Sequence, residues 1–370
     1  MNLLEQELDY VFGDAMPEAG STMEVAPGIK WIRMGLPFAL NHINLWLLRD
    51  EMEDPARPGT TLQGWSVVDC CISRQESKAQ WETIFATQLE GLPILRVIVT
   101  HMHPDHIGLA HWLCERCSTP AYAFCLWVSA TDFNAARNAS RSTTGFGGDA
   151  AALFFASHGL TDVDSLEKIR GRTGYYPSMV PQVPDSFVRL MDDKRIAIGV
   201  GKRRLSWRCI SGYGHAPEHI AMHCEDLSVL ISGDMILPRI STNVSVYDQE
   251  PEANALSLFL ESIDKFLPMA AGTLVLPSHG KPFRGLHTRI QQLHDHHRDR
   301  LGEVMEACTL GPCHAADILP IMFRRELDLH QTTFAMGEAV AHLHLLWFEG
   351  RLQRALGADG IYRFSLAEAT

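Results

Sequence analysis

The chain has 370 residues, of which 46% are hydrophobic and 21% charged, and its formal net charge is −12. A chain of this length can bury a sizeable core in one large domain or in two ordinary ones. No segment reaches the roughly 18 uninterrupted apolar residues of a membrane span, and the negative charge opposes nonspecific binding to nucleic acid or anionic lipid.

The first ten residues carry Glu5, Glu7 and Asp9, where a secretory signal would have basic residues followed by an apolar stretch. The nine cysteines are irregularly spaced and do not form the pattern of a disulfide framework. Both features predict a reducing, cytoplasmic location.

Strands and helices alternate in two parts of the sequence, which is typical of a layered α/β fold. The first part predicts strands at 31–33, 44–48, 65–69 and 95–100, with a helix at 75–89. After an intervening segment, the same alternation predicts strands at 205–211, 220–224, 229–232 and 273–276, with a helix at 252–266.

The intervening segment, at about 130–185, has no strand pattern and is rich in Ala, Gly, Ser and Asn. Its apolar markers include Phe154, Phe155, Tyr175 and Tyr176. We predict a helical insertion that caps the functional site and lines an apolar pocket. An irregular segment whose aromatic side chains only fill the core is the alternative.

After residue 285 the pattern changes, and it predicts helices at 287–310, 315–326 and 332–348 and a hairpin at 351–365. Three helices and a hairpin indicate a winged helix, so we predict domains at 1–285 and 286–370. This tail has eight Lys and Arg against eleven Asp and Glu, whereas a nucleic-acid-binding module should be basic. We expect it to pack or to form a homodimer, although four arginines could form a local basic patch: Arg324, Arg325, Arg351 and Arg354.

The run His101-Met102-His103-Pro104-Asp105-His106 is the strongest functional signal. The one-residue spacing of His101 and His103 at the end of a predicted strand places both imidazoles on one side. Asp105 and His106 follow where the chain turns into a helix predicted to begin near Ile107. Four such donors within six residues would be costly to leave unpaired, so the run indicates a metal site.

Three further donors, His215, Asp234 and His279, each follow a predicted buried strand. Each is ordinary in isolation, but their common placement at strand ends makes them candidate ligands. Imidazoles and carboxylates suit zinc, with iron or manganese as alternatives.

These motifs resemble the successive metal motifs of the metallo-β-lactamase-fold superfamily over residues 23–285, and the tail resembles that of the β-lactamase-like-protein-2 group. The resemblance implies an α/β fold, a four-layer αββα sandwich with metals at one edge between two sheets, followed by a small winged-helix domain. It is carried by residues 101–106, Gly214-His215-Ala216-Pro217-Glu218-His219, Ser232-Gly233-Asp234 and Pro277-Ser278-His279-Gly280.

The resemblance also assigns roles to individual residues. It implies that two divalent ions are bound, with Asp234 bridging them, and that Asp69 orients the ligand loop without binding metal. His219 matches a motif position but is not expected to be a ligand. The implied ligands are His101, His103 and His215 for one ion, and Asp105, His106 and His279 for the other.

Two divalent ions, two carboxylates and a bridging hydroxide leave one positive charge, which suits attack on a carbonyl or phosphoryl group. Asp105 is the candidate for proton handling, beside Asp234. We predict a binuclear metal-dependent hydrolase using a metal-bridging hydroxide on a small thioester, ester or lactone, because such a centre suits acyl transfer to water and the apolar insertion could hold the acyl group. The ligand set also resembles that of glyoxalase II. An endoribonuclease or other phosphodiesterase of the same fold is the alternative.

Overall fold

The computed structural model describes residues 3–54, 56–118, 124–141 and 147–367. Within these ranges, two large sheets face each other across a shared apolar core. That core contains Trp31 and Trp46 from one sheet, and Trp207, Ile220 and Ile231 from the other. Because both inner faces are apolar, the two sheets bury each other as a sandwich.

The first sheet has seven strands in chain order. Its first four strands are antiparallel, and the following three pair in parallel. Its strands are β1 (Met23–Ala26), β2 (Ile29–Gly35), β3 (His42–Glu53), β4 (Thr61–Val68), β5 (Ile94–Ile98), β6 (Leu126–Ser129) and β7 (Phe187–Leu190).

The second sheet has five strands, also adjacent in chain order. They pair antiparallel except for the last two, which run parallel. Its strands are β8 (Arg195–Ile198), β9 (Leu205–Gly212), β10 (His219–Cys224), β11 (Val229–Gly233) and β12 (Leu274–Pro277).

Helices cover the outer faces of both sheets, which completes a four-layer αββα arrangement. Side chains of the helices at 75–87, 110–117 and 130–139 pack on the first sheet, and those of the helices at 255–264 and beyond 285 pack on the second. The helices are α1 (Gln75–Thr87), α2 (Pro104–Ile107), α3 (Ala110–Cys117), α4 (Ala130–Ala139), α5 (Gly148–Ser157), α6 (Val163–Arg170), α7 (Tyr175–Met179), α8 (Ala255–Asp264), α9 (Leu286–Thr309), α10 (Ala315–Met322) and α11 (Leu329–Phe348).

The predicted insertion at 130–185 contains four of these helices, α4 to α7, while its residues 142–146 lie outside the described part of the chain. Its aromatic side chains divide between two cores. Phe154 and Phe155 pack with the C-terminal helices, whereas Tyr176 packs with the first sheet and its helices. The insertion therefore contacts both halves of the molecule.

The tail consists of α9, α10, α11 and a terminal hairpin of β13 (Leu352–Leu356) and β14 (Tyr362–Leu366). The structure thus contains the three helices and the hairpin that the sequence predicts. α10 ends at Met322 rather than near residue 326, and Phe323 after it has extended backbone angles. α11 begins three residues earlier than predicted, where Asp328 and Gln331 form a capping box.

Four strands of the sandwich were not predicted: β1, β6, β7 and β8. Each has only four residues, which is too short for an alternating pattern to separate a strand from a loop. The helix after His103 also differs, since it begins at Pro104 and ends at Ile107 before α3 starts at Ala110. Among the described residues, no helix is long and apolar enough to cross a membrane.

Candidate metal centre

The candidate site lies where the carboxyl ends of β5, β11 and β12 meet the start of β10. The Ile220 amide donates to the Thr100 carbonyl at 2.7 Å, which joins the two sheets at this edge. The Cys70 amide donates to the His106 carbonyl at 2.8 Å, which ties the ligand run to the end of β4. Loops from both sheets therefore converge on one side of the sandwich.

The first group of donors contains His101, His103, His215 and Asp234, and one ligand atom of each lies within 4.8 Å of the others. His101 Nε2 is 3.0 Å from His103 Nδ1 and 3.3 Å from His215 Nε2. Asp234 Oδ2 is 3.4 Å from His215 Nε2. Three imidazoles and one carboxylate thus face one point.

The second group contains Asp105, His106 and His279, whose ligand atoms also lie within 4.8 Å of one another. Asp105 Oδ2 is 3.4 Å from His279 Nε2 and 3.7 Å from His106 Nε2. Asp105 and His106 project from α2, whereas His279 follows β12. The second group is therefore assembled from both sheets, as the first group is.

Asp234 contacts both groups through different oxygens. Its Oδ2 faces His215, while its Oδ1 is 3.4 Å from His279 Nε2 and 3.6 Å from His106 Nε2. A single carboxylate with one oxygen toward each group is the geometry required of a bridging ligand. The structure thus brings together all seven residues that the sequence marked as candidate ligands.

Two unsatisfied polar atoms indicate that the donor set fits a pair of divalent cations. Asp234 Oδ1 and His106 Nε2 are buried and make no hydrogen bond with any described residue. Buried polar atoms without partners are costly, and cations placed between the two groups would satisfy both. Imidazole nitrogens and carboxylate oxygens fit zinc, iron or manganese, and neither group contains a cysteine.

The charges of the two groups explain why they would attract cations. Burial and the surrounding imidazoles hold the pKa of His101 well below its usual range. Burial alone would also lower the pKa of His279, but Asp234 and Asp105 raise it to about 10. Without metals, protons on the second group would balance the two carboxylates, and divalent ions would displace those protons.

Three of the ligand histidines are oriented by a hydrogen-bond acceptor behind the imidazole ring. His106 Nδ1 donates to Asp69 Oδ2 at 2.8 Å, and Asp69 Oδ1 accepts the Thr100 amide at 2.8 Å. His215 Nδ1 donates to the Asn243 carbonyl, and His279 Nδ1 to the His42 carbonyl, both at 2.7 Å. These bonds leave each Nε2 free to face the centre.

Asp132 is a functional residue that the sequence reasoning missed. Its Oδ1 accepts the Met102 amide at 2.7 Å, and its Oδ2 accepts the Glu218 amide at 2.6 Å. It therefore holds the loops carrying His103 and His215 together from the start of α4. In the sequence, Ser129 three residues before Asp132 indicates only a helix cap. It does not indicate that Asp132 joins the two ligand loops.

His219 belongs to neither group, and its Nε2 instead accepts the Asp234 amide at 3.1 Å. Gly233 makes this contact possible, because a Cβ there would lie 2.1 Å from that nitrogen. Gly233 also has a φ of +54°, which suits glycine. His219 thus positions the backbone of Asp234.

Asp69→Asn tests the orienting contact at nearly constant volume. We expect the affinity for the ion nearest His106 to fall about ten- to a hundredfold, because the amide cannot fix the imidazole as a carboxylate does. Equilibrium dialysis against zinc measures the affinity of each donor group for the ion. Affinity at the His101, His103 and His215 group should change much less, and equal losses at both groups would contradict this role.

Gly337→Ala tests how α11 supports the site. A Cβ at Gly337 would lie 2.7 Å from Ser245 Cβ, in the loop whose Asn243 carbonyl orients His215. We expect overpacking to cost about 1–3 kcal/mol of unfolding free energy, measured by urea denaturation, and to weaken metal binding. Gly302→Ala is the matched control, since nothing lies within 4 Å of its Cβ in α9; it should stabilise by about 0.5–1 kcal/mol.

Comparison with known proteins gives two family matches and several related structures. The profile described as the Metallo-beta-lactamase superfamily matches residues 61–307, and that described as the Metallo-beta-lactamase-like C-terminal domain matches residues 301–367. The structure of a beta-lactamase domain protein from Burkholderia ambifaria is 53% identical, with a TM-score of 0.90 over 99% of this chain and 100% of that one.

Two more distant relatives also span nearly the whole chain. The metallo-beta-lactamase family protein TTHA1429 from Thermus thermophilus is 26% identical, with a TM-score of 0.72 over 93% of this chain and 100% of that one. The probable metallo-hydrolase YqjP of Bacillus subtilis (strain 168) is 22% identical over 347 residues, which cover 90% of this chain and 96% of that protein. Because the superfamily profile covers more than half of the sequence, the chain belongs to the metallo-beta-lactamase superfamily.

Proposed function

We propose that this chain is a binuclear metal-dependent hydrolase of small thioesters, esters or lactones. The observation that carries the proposal is Asp234, whose two oxygens face the two donor groups separately. In this proposal Asp234 is shared between the ions. His101, His103 and His215 complete one set of ligands, and Asp105, His106 and His279 complete the other.

Zinc is the preferred metal in this proposal, with iron and manganese as alternatives, because the donors are imidazoles and carboxylates. When bound, such ions supply a hydroxide near neutral pH and polarise the oxygen of a carbonyl or phosphoryl group. No side-chain nucleophile is needed for this chemistry.

Asp105 is our candidate for proton handling. Its side chain is 18% exposed, against 10% for Asp234, so it is the more accessible of the two carboxylates. Burial would raise its pKa, but His106 and His279 lower that pKa to about 2. In this proposal Asp105 stays ionised and accepts a hydrogen bond from the attacking water; because a carboxylate with so low a pKa is a weak base, the proton then passes to solvent.

The arginines of the tail support a small-molecule substrate over RNA. Three of the four candidates for a basic patch form ion pairs with carboxylates, and Arg325 donates to the Gln331 side chain. Such pairing leaves little free positive charge for phosphates, in agreement with the acidic composition of the chain. The ion pairs are Arg324 with Glu303, Arg351 with Glu349, and Arg354 with Glu252.

We also propose that residues 286–370 are a packing module of the hydrolase. α9 begins at Leu286, and its buried face joins the same core as the outer face of the second sheet. That core includes Ile210 and Val275 from the sheet, and Ile290 and Leu293 from α9. The tail thereby supplies part of the fourth layer.

The test is metal analysis combined with two substrate assays. We expect about two equivalents of zinc per chain. We also expect hydrolysis of acyl thioesters, which is measured by the appearance of the free thiol. Single-stranded RNA should remain intact under the same conditions. A metal-saturated protein that cleaves RNA and no acyl substrate would refute the proposal.

A further inference from the structure

Four aromatic rings meet beside the candidate metal centre, and we call Phe38, Tyr175, His330 and Phe334 the ring cluster. His330 is its middle member. Its ring centroid lies 6.4 Å from Phe38 in a stacked arrangement, 5.5 Å from Tyr175 and 4.9 Å from Phe334 in an edge contact. The cluster joins the β2–β3 connection, the insertion and the C-terminal helix α11.

Two of these three segments directly contact the ligand loops. The β2–β3 connection, which carries Phe38, leads to His42, whose carbonyl accepts the ring N–H of His279. Tyr175 begins α7, where the neighbouring Tyr176 hydroxyl donates to the Met102 carbonyl inside the ligand run. The ring cluster therefore borders the metal centre.

The cluster is not sealed inside the core. Phe38 is 36% exposed, and the other three members of the ring cluster are partly buried. His330 is held by the first turn of α11, which the Asp328 capping box fixes in place. Aromatic side chains that remain partly open beside a metal centre are the kind of lining that small-molecule sites use.

Arg172 lies beside this surface. Its Nη1 donates to Thr333 Oγ1 at 3.4 Å, and Thr333 Oγ1 in turn donates to the His330 carbonyl at 2.7 Å. Arg172 is partly buried, yet it forms no ion pair with any residue in the described ranges. The Asp328 carboxylate accepts the Gln331 amide as a helix cap.

Asp328 favours the charged form of Arg172 without forming an ion pair with it, and burial still lowers the pKa of this guanidinium, so a bound anion would offset more of its charge. Aromatic rings beside it favour a planar group, because offset stacking and edge contacts add to the burial of apolar area. Arg172 contacts the same helical turn as His330, and the segments that carry Phe38 and Tyr175 lead to contacts with the ligand loops.

We infer that α11 completes the substrate pocket and that the substrate carries a planar apolar group, bound by the ring cluster, and a negative charge, bound by Arg172. This inference rests on the proposed hydrolase function and specifies its substrate class as an anionic aryl or unsaturated acyl compound. His330 and Arg172 determine specificity and take no part in bond cleavage.

Binding of an amide probe tests the inference separately from hydrolysis. N-(phenylacetyl)glycine has an aromatic ring and a carboxylate, and N-(phenylacetyl)glycinamide is its neutral counterpart. Calorimetric titration of the zinc-bound full chain should show about ten- to a hundredfold tighter binding of the anion, as expected for a charge-assisted hydrogen bond.

Three variants then assign this preference to residues. Arg172→Gln should remove the advantage of the anion and leave binding of the neutral amide within about twofold. His330→Ala should weaken both probes by about three- to tenfold, because each loses a ring contact. Lys168→Gln, which removes an exposed positive charge from α6 of the same insertion, should change neither.

Equal affinity for the two probes, or failure of the anion to bind at millimolar concentration, would overturn the inference. It would also be overturned if the anion kept its advantage in Arg172→Gln, since the carboxylate would then be bound by the metals. Thioester hydrolysis is assayed on the same preparations. Loss of anion preference in Arg172→Gln together with no hydrolysis would refute the proposed function and uphold this pocket.

Discussion

Asp234→Ala is expected to remove both metal ions and to abolish hydrolysis. The two oxygens of this carboxylate face the two donor groups, so its loss takes one ligand from each. Loss of an orienting partner alone costs about ten- to a hundredfold in activity. Loss of a shared ligand should exceed this, and we expect kcat/KM to fall by at least about a thousandfold, or about 4 kcal/mol.

Metal content measured by plasma emission spectrometry, and thioester hydrolysis with zinc in excess, check this expectation. Asp226→Ala is the matched control, because Asp226 is an exposed carboxylate in the turn between β10 and β11. It should keep two ions and full activity. If Asp234→Ala bound two ions with unchanged affinity, Asp234 would not be a shared ligand.

The candidate ligands could be predicted because their signals are local. His101, His103, Asp105 and His106 lie within six residues, and each remaining ligand directly follows a buried strand. Strands β9, β11 and β12 run in the same direction, so the loops after them lie at one edge of the second sheet. That this edge meets the end of β5 in the first sheet is implied by the family resemblance and not by the local strand predictions.

The groups that orient the ligands could not be predicted, because their contacts depend on tertiary structure. The Asn243 carbonyl lies 28 residues from His215 along the chain, and the His42 carbonyl 237 residues from His279. A backbone carbonyl is present in every residue, so the sequence carries no mark of which one will face an imidazole. Asp132 is marked only as a helix cap.

The start of α11 carries a local sequence signal, a capping box, that the apolar pattern alone does not reveal. The helix was predicted from residue 332, but Asp328 and Gln331 have the spacing of a capping box, and the helix begins at Leu329. The additional turn carries His330 to the ring cluster. A boundary error of three residues therefore hid a contact between the tail and the border of the metal centre.

A chain that ends at Gly285 is expected to lose the folded metal centre altogether. The C-terminal helices share one core with the second sheet and with α8, so truncation would expose the apolar outer face of that layer. Complete burial of one large aliphatic side chain contributes about 1.5–3 kcal/mol. Four such side chains would equal much of the roughly 5–15 kcal/mol net stability of a typical protein. The buried side chains on α9 and α11 include Ile290, Leu293, Val304, Val340, Leu343 and Leu346.

Truncation would also remove a hydrogen bond that holds the loop orienting the candidate ligand His215. The Val246 amide donates to the Gly337 carbonyl of α11 at 3.1 Å, and this same loop carries the Asn243 carbonyl that orients His215. We therefore expect the 1–285 chain to show no cooperative thermal unfolding and to bind less than one equivalent of zinc. A chain ending at Ala367 keeps all of these contacts and should behave as the full chain does. Cooperative unfolding and two bound ions in the 1–285 chain would instead make the tail an independent domain, because the second sheet would then need no helix beyond α8 to cover it.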